Sequence, residues 1–309
     1  MVYNKKTNAL ESVKESDIEP ITGRFIFDPN TVRIEDGCFR ENNKITTASL
    51  PQNICALGSN IFDGARKLSV LEMPDSVESA GDNLAKNCTS LKKVLLSNSL
   101  KKLGNNSFSG CINLNSIYLP TSIKELGENV FENCSLLTDL SFSSDSLIKK
   151  IPPYAFEGCI NQKKIKLPKS INVIGKCAYK DNISIEELDF ENTNIKVIDS
   201  LAFENCKNLK KVVLPSSLEF MGDCVYQGCD LFTLEFKSAG TFITFDTLKD
   251  VNIKQIILPE FTSTNSDLFK ILSKTTNSLI CIRKPKLSIN NFENALNNNY
   301  NNEPINRNL

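Results

Sequence analysis

The sequence predicts a solenoid, that is, one elongated domain of stacked repeats with a parallel β-sheet along one face. Apolar residues return with a period of 22 to 25 residues over most of the 309-residue chain. Each period contains a short segment of the form L-x-x-I-x-L, whose alternate side chains would face the interior. An aromatic residue and, in several periods, a cysteine return at the same spacing. Such self-similarity is typical of repeats that bury their apolar faces only by stacking.

The repeat is clearest when each unit begins at the residue before the frequent proline, which ends the preceding strand. The best copy is LPTSIKELGENVFENCSLLTDLS, from Leu119 to Ser141. About ten units lie between residues 25 and 260, after a degenerate first unit, and they begin at Leu50, Met73, Leu96, Leu119, Phe142, Leu167, Phe190, Leu214, Phe236 and Leu258.

Two columns of the repeat predict how the turns are built. The glycines of the first column are expected to take a positive φ at a bend, and they are Gly58, Gly81, Gly104, Gly127, Gly175 and Gly222. The aromatic side chains of the second column are expected to fill the interior, and they are Phe39, Phe62, Phe108, Phe131, Phe156, Tyr179, Phe203 and Tyr226.

Six of the eleven cysteines share one column of the repeat, and they are Cys88, Cys111, Cys134, Cys159, Cys206 and Cys229. Stacking brings equivalent Cα atoms to about 4.8 Å, but it leaves their Cβ vectors parallel, whereas a disulfide needs them to converge. A linear column also does not offer the tetrahedral set of thiolates that zinc prefers. We therefore expect small buried thiols that line a turn, with disulfides or a metal as the alternatives.

Composition disfavours several classes of function. Thirty-six basic and 36 acidic side chains balance, so a nucleic-acid partner is not expected. Histidine is absent, which removes the commonest general base and metal ligand. No catalytic residue, cofactor or metal is therefore predicted. No run of about 18 apolar residues and no secretory signal is visible, so the sequence predicts no transmembrane segment and favours a cytoplasmic location.

The stretch FSGCINLNSIYLPTSIKELGENVFENC resembles the BspA-like leucine-rich repeats of anaerobic bacteria and parasitic protozoa. The shared motif is F-x-x-C-x-x-L-x-x-I-x-L-P-x-S-V/I-x-x-I-G-x-x-A-F, and it covers about residues 27 to 260. The resemblance implies a right-handed leucine-rich-repeat superhelix, mainly β with loops and short turns. It also implies a role in binding, in some members as surface proteins that attach to host or neighbouring cells. No catalytic residues belong to this repeat.

The two ends of the chain depart from the repeat. Residues 1–24 are polar and are expected to form a flexible arm or an N-terminal cap. Residues 261–288 combine a helical apolar pattern, at Leu268, Ile271 and Leu272, with a strand-like segment, and they are predicted to cap the C-terminal end. Residues 289–309 are rich in asparagine and are expected to form a flexible tail.

The outward positions of the L-x-x-I-x-L strands are the predicted binding surface. Leu95 and Tyr118 are apolar in adjacent units, as are Val213 and Ile257 towards the other end, and bands of charge lie between them. The candidate residues are Lys93, Leu95, Tyr118, Asp139, Lys164, Lys166, Glu187, Asp189, Lys211 and Val213. An aromatic anchor flanked by charge is typical of a protein-binding site. The alternative is an ordinary solvated sheet face.

Two functional hypotheses follow from these observations. The first is a non-catalytic protein-binding module, adhesin-like and surface-associated as the resemblance implies. The second is a cytosolic scaffold or regulatory subunit that binds an intracellular protein. A monomer is expected in both cases, and the sequence does not identify the protein ligand.

Overall fold

The computed structural model describes residues 1–260, 262–263, 266–276 and 278–283. Within these residues the chain winds into a parallel β-solenoid of about 12 turns. The fold class predicted from the sequence is therefore confirmed.

The described residues contain 21 short β-strands, one α-helix and one 3-10 helix. The first eleven strands are β1 (Val2–Asn4), β2 (Ala9–Ser12), β3 (Arg33–Ile34), β4 (Thr47–Ser49), β5 (Ala56–Leu57), β6 (Val70–Glu72), β7 (Ser79–Ala80), β8 (Lys93–Leu95), β9 (Lys102–Leu103), β10 (Ser116–Leu119) and β11 (Glu125–Leu126). The other ten are β12 (Asp139–Phe142), β13 (Lys150–Ile151), β14 (Val173–Ile174), β15 (Glu187–Asp189), β16 (Val197–Ile198), β17 (Lys211–Leu214), β18 (Phe220–Met221), β19 (Asp230–Phe236), β20 (Asn252–Leu258) and β21 (Leu279–Ile282). The helix α1 is Asp267–Thr275, and the 3-10 helix is Glu15–Asp17.

Most turns contribute a strand to each of two walls. One wall, the strand face, contains the predicted L-x-x-I-x-L strands in the orders β4-β6-β8, β10-β12 and β15-β17-β19-β20-β21. The other wall, the flank, is built from two-residue strands in the orders β3-β5-β7, β9-β11 and β13-β14-β16-β18. All strand pairs in the described part of the chain are parallel except β1 with β2. The flank is not predicted from the sequence because two residues are too few to show alternation.

The aromatic column fills the interior, as the sequence predicts. All eight of its rings are fully buried. Phe131 stacks on Phe108 at 5.7 Å between ring centroids and on Phe156 at 5.5 Å. The stack continues through Tyr179, which lies 5.2 Å from Phe156. From Phe108 to Tyr226, successive rings of the column thus stack on one another across neighbouring turns, which couples these units.

The prediction of positive φ at the glycine column is wrong. The six glycines from Gly58 to Gly222 are not among the residues with positive φ, whereas Asn60, Asn83, Asn106 and Asn129 are. Glycine is required there because adjacent turns approach too closely for a side chain. A Cβ atom at Gly127 would lie 2.4 Å from the backbone nitrogen of Asn105. The left-handed bend comes two residues later, where asparagine tolerates it.

The cysteine column consists of buried thiols, as predicted, and all six are free. Each Sγ donates a hydrogen bond to a carbonyl of the preceding unit. Cys134 donates to Phe108 at 3.1 Å, and Cys159 donates to Phe131 at 3.2 Å. Where the column carries asparagine instead, Asn182 Nδ2 donates to the Phe156 carbonyl at 2.7 Å. The column therefore supplies a small side chain that fills the turn and bonds to the neighbouring unit.

The N-terminal residues extend the flank. Strand β1 pairs with β2, and β2 pairs in parallel with β3. Ala9, Leu10 and Ile18 are buried against the first turns. We propose that residues 1–24 act as the N-terminal cap of the solenoid, because they cover apolar side chains that an open end would expose.

At the C-terminal end, helix α1 and strand β21 stand where the sequence predicts a helix and a strand. The Ser266 side chain caps the helix by accepting a hydrogen bond from the Phe269 backbone nitrogen. Leu268 and Leu272 are buried, and β21 pairs with β20. We propose that these elements close this end, and the predicted flexible tail, residues 289–309, lies outside the described residues.

Candidate functional site

The strand face places the candidate residues in two columns, as the register of the strands shows. The first column joins Glu187 to Lys211 and, in another part of the sheet, Ser116 to Asp139. The second column joins Glu72 to Leu95 and also joins Asp189 to Val213. Neighbouring turns therefore carry equivalent residues side by side, about one strand spacing apart.

Leu95 and Tyr118 form an exposed apolar pair on this face. Leu95 is 48% exposed and Tyr118 is 53% exposed. They occupy equivalent positions in adjacent turns, on β8 and β10. An aromatic residue beside a leucine, both about half exposed, has the composition of an interface anchor. We call Leu95 and Tyr118 the apolar pair.

Val213 was expected to extend the exposed surface, and the structure contradicts this expectation. Its side chain is only 5% exposed. Lys237 bonds to Glu191 at 2.8 Å and to Glu235 at 2.9 Å. Glu191 and Glu235 lie on the turns on either side of Val213, so the ion pair between Lys237 and Glu191 spans the turn that carries Val213. Long lysine stems commonly cover apolar surface in this way.

Charged residues on the face differ in whether they already have a partner. Lys211 bonds to Glu187 at 2.6 Å, which raises the pKa of Lys211, and Lys93 bonds to Glu72 at 2.9 Å. The hydrogen bond from Lys93 is the main reason that the pKa of the Glu72 carboxyl is lowered. By contrast, Lys164 and Lys166 are exposed and form no ion pair with any described residue. These two lysines therefore remain available to an external carboxylate.

The strand face is interrupted twice in the described residues, between β8 and β10 and, where a whole strand is missing, between β12 and β15. Residues 163–167 occupy the place of the missing strand, but their backbone forms no hydrogen bond with either neighbour in the described part of the chain. Ile165 and Leu167 are only partly buried, whereas the equivalent Leu188 is 1% exposed. The unit from Phe142 to Leu167 is the longest, and its extra residues precede β13. We call residues 163–167 and the depressions on both sides the break.

Two depressions border the break. The larger, of about 1070 Å³, lies towards β15 and is lined by Lys164, Lys166, Glu187, Asp189 and Lys211 among others. The smaller, of about 430 Å³, lies towards β12 and is lined by Asp139, Gln162, Lys164 and Lys166 among others. The structure thus brings together six of the ten candidate residues at one place, while Lys93, Leu95 and Tyr118 lie towards the N-terminal end.

Gln162 is a functional candidate that was not predicted from the sequence. It is 3% exposed, and its Oε1 atom has no hydrogen-bond partner in the described structure. Other units carry a buried aliphatic residue at this position, including Leu68, Leu91, Leu114, Leu137, Ile185 and Leu209. A buried polar atom without a partner is costly and therefore calls for an explanation. The sequence does contain a sign of this candidate, because a glutamine stands at a repeat position where the other units named here carry leucine or isoleucine.

The described residues offer no cluster of metal ligands, and most of their thiols are buried. They contain no group of three or more histidine, cysteine, aspartate or glutamate side chains that could hold a metal ion. Burial raises the pKa of Cys159 to about 12 and that of Cys38 to about 12, which keeps these thiols protonated and unreactive. None of the helices in the described residues has the length and apolar character needed to cross a membrane.

Solved structures of leucine-rich repeat proteins share this fold. One from Bacteroides ovatus is 18% identical with a TM-score of 0.52, over 91% of this chain and 70% of the other. One from T. pallidum is 21% identical with a TM-score of 0.52, over 60% of this chain and 86% of the other. One from Eubacterium ventriosum is 17% identical with a TM-score of 0.50, over 67% and 70%. At these identities the likeness concerns the fold alone.

The sequence itself matches a family model. Residues 22–138, 136–254 and 196–302 match the model described as BspA type leucine rich repeat region (6 copies). No curated protein matches the chain. The resemblance seen in the repeat motif is therefore confirmed over most of the chain. The chain belongs to the BspA-type leucine-rich repeat family.

Proposed function

We propose that this protein is a non-catalytic protein-binding module whose strand face contacts a partner protein. The observation that carries the proposal is the apolar pair, Leu95 and Tyr118, which is exposed on a part of the strand face where most outward side chains are charged or polar; Phe232 and Leu279 are exposed only further along, on β19 and β21. Aromatic residues of this kind are often the anchors of protein interfaces, with a polar surround that excludes water. The break supplies that surround further along the same wall.

The state of the charged residues supports the same proposal. Lys164 and Lys166 lack ion-pair partners among the described residues, so a partner could bond to them without first breaking an internal pair. Such rim charges mainly set the association rate and the choice of partner, and salt weakens their effect. The buried, protonated thiols and the absence of histidine support a module without catalytic activity.

The proposal is tested on a partner captured with the purified chain from a lysate of the source organism and then produced in pure form. Titration calorimetry should show that Tyr118→Ala weakens binding by about 2 kcal/mol, or roughly 30-fold in Kd. The melting temperature should hardly change, because the ring is exposed in the free protein. Glu78→Ala, at an exposed site on the flank, is the matched control and should bind normally. Unchanged binding by Tyr118→Ala and by Leu95→Ala would place the site elsewhere.

A surface adhesin and an intracellular scaffold would use the same face. Biotinylation of intact cells, followed by fractionation, separates the two. A labelled surface pool supports the adhesin-like role, and recovery only in the unlabelled soluble fraction supports the scaffold.

A further inference from the structure

We propose that the break binds an extended, acidic segment of the partner protein, an inference that rests on the proposed function and specifies part of the same face. Three independent features of the break favour this ligand. They are an interrupted hydrogen-bond ladder, a buried acceptor without a partner, and lysines without ion pairs.

The first feature is the backbone. Residues 163–167 lie between β12 and β15 without a backbone hydrogen bond to either strand in the described structure. The edges of these two strands that face the break are likewise outside any ladder. Unpaired strand edges bind extended chains, because a peptide backbone offers donors and acceptors at the required spacing. A ligand with a peptide backbone can therefore satisfy groups that the solenoid leaves open.

The second feature is Gln162 at the wall of the smaller depression. Its buried Oε1 atom lacks a donor among the described residues. A leucine would fill this position at lower cost, as it does in neighbouring units. A backbone N–H of a bound peptide would satisfy the Oε1 atom, whereas a phosphate oxygen is itself an acceptor and could bond only to the Nε2 group.

The third feature is the charge along the break. Lys163, Lys164 and Lys166 are exposed and without an ion pair in the described residues, and Lys164 and Lys166 line both depressions. The lysines beyond them are already paired, Lys211 with Glu187 and Lys210 with Asp230. Asp139 and Asp189 border the break on its two sides. The lysines that are free to bind carboxylates of a ligand therefore lie only within the break among these residues, so a short acidic segment fits there best.

A fluorescein-labelled hexaglutamate peptide is the probe, and its binding is followed by fluorescence anisotropy at low salt. The Gln162→Leu variant introduces the residue that other units carry, so it should melt at the same or a higher temperature. We expect it to weaken peptide binding about tenfold, because the acceptor is lost. Lys164→Gln combined with Lys166→Gln should weaken binding at least as much. Lys101→Gln combined with Lys102→Gln, on the flank, should change it less than twofold.

Polyphosphate of similar charge separates peptide recognition from simple charge attraction. We expect it to compete poorly, because it has no N–H donor for Gln162. Equal competition by polyphosphate would overturn the proposal, and so would wild-type affinity in a folded Gln162→Leu variant. If Gln162→Leu does not fold, the lysine pair decides, and unchanged binding by that variant also overturns the proposal.

The partner captured on the strand face separates this proposal from the proposed function. Suppose that Tyr118→Ala weakens partner binding while the hexaglutamate peptide does not bind. The proposal that the strand face binds the partner is then supported, and the proposal of an acidic ligand is wrong. Suppose instead that the peptide binds through the break while Tyr118→Ala and Leu95→Ala bind the partner normally. The proposal that the break binds an acidic segment is then supported, and the apolar pair is not the anchor.

Discussion

The buried thiols of the cysteine column should make the free energy of unfolding fall as pH rises above 9. The variant Cys159→Ala tests this pH dependence. Burial raises the pKa of the Cys159 thiol from 9.0 to about 12. The folded chain therefore keeps this proton between pH 9 and 12, whereas the unfolded chain releases it. Release of protons on unfolding means that the free energy of unfolding falls as pH rises through this window.

The magnitude follows from the size of the shift. At pH 10, one unit above the ordinary pKa of 9.0, a single buried thiol lowers the free energy of unfolding by about 1.4 kcal/mol relative to pH 8. At pH 8, Cys159→Ala should be destabilising by about 1–2 kcal/mol, because it removes buried volume and the hydrogen bond to the Phe131 carbonyl. At pH 10, the loss of the ionisable group should cancel most of that cost.

The assay is urea unfolding followed by circular dichroism at both pH values for the wild type and the variant. The prediction is that the cost of Cys159→Ala decreases by about 1.4 kcal/mol between pH 8 and pH 10. Cys55→Ala is the matched control, because its thiol is exposed and its removal should have a small effect at both pH values. An equal cost of Cys159→Ala at pH 8 and pH 10 would refute the reasoning.

Two further predictions concern the packing between turns. Phe131→Ala should lower the free energy of unfolding by about 3–5 kcal/mol in a thermal or urea melt, because the fully buried ring stacks on both neighbouring turns; a loss as small as that of Tyr118→Ala would contradict the assigned interior. Gly127→Ala should be destabilising by about 1–3 kcal/mol, because its Cβ would lie 2.4 Å from a backbone nitrogen. Gly240→Ala, where the nearest atom to a Cβ is 3.9 Å away, is the control, and equal melting of the two glycine variants would refute the close approach.

The columns that the sequence predicts correctly are those whose positions are buried in most turns. The aromatic and cysteine columns are predictable because most turns bury the same positions, so one periodic pattern describes them all. The glycine column shows the limit of this reasoning. Its spacing is visible in the sequence, but its cause is the distance between the backbones of adjacent turns, which no single unit contains.

The functional surface is less predictable because it depends on departures from the repeat. Val213 is buried where Lys237 forms an ion pair across its turn, and this ion pair has no periodic signature in the sequence. The break depends on whether residues 163–167 join the ladder, which the pattern of residue types alone does not determine. Gln162 was the visible sign, because a polar residue stands there in a column of leucine and isoleucine.

Amide hydrogen exchange of the free and partner-bound protein tests the central claim most directly. Residues 163–167 have no backbone hydrogen bonds in the described structure, so their amides should exchange fast in the free protein. On binding, these amides should become strongly protected, together with those of β8 and β10 beside Leu95 and Tyr118. Protection confined to the flank strands, with residues 163–167 still exchanging fast, would contradict binding on the strand face.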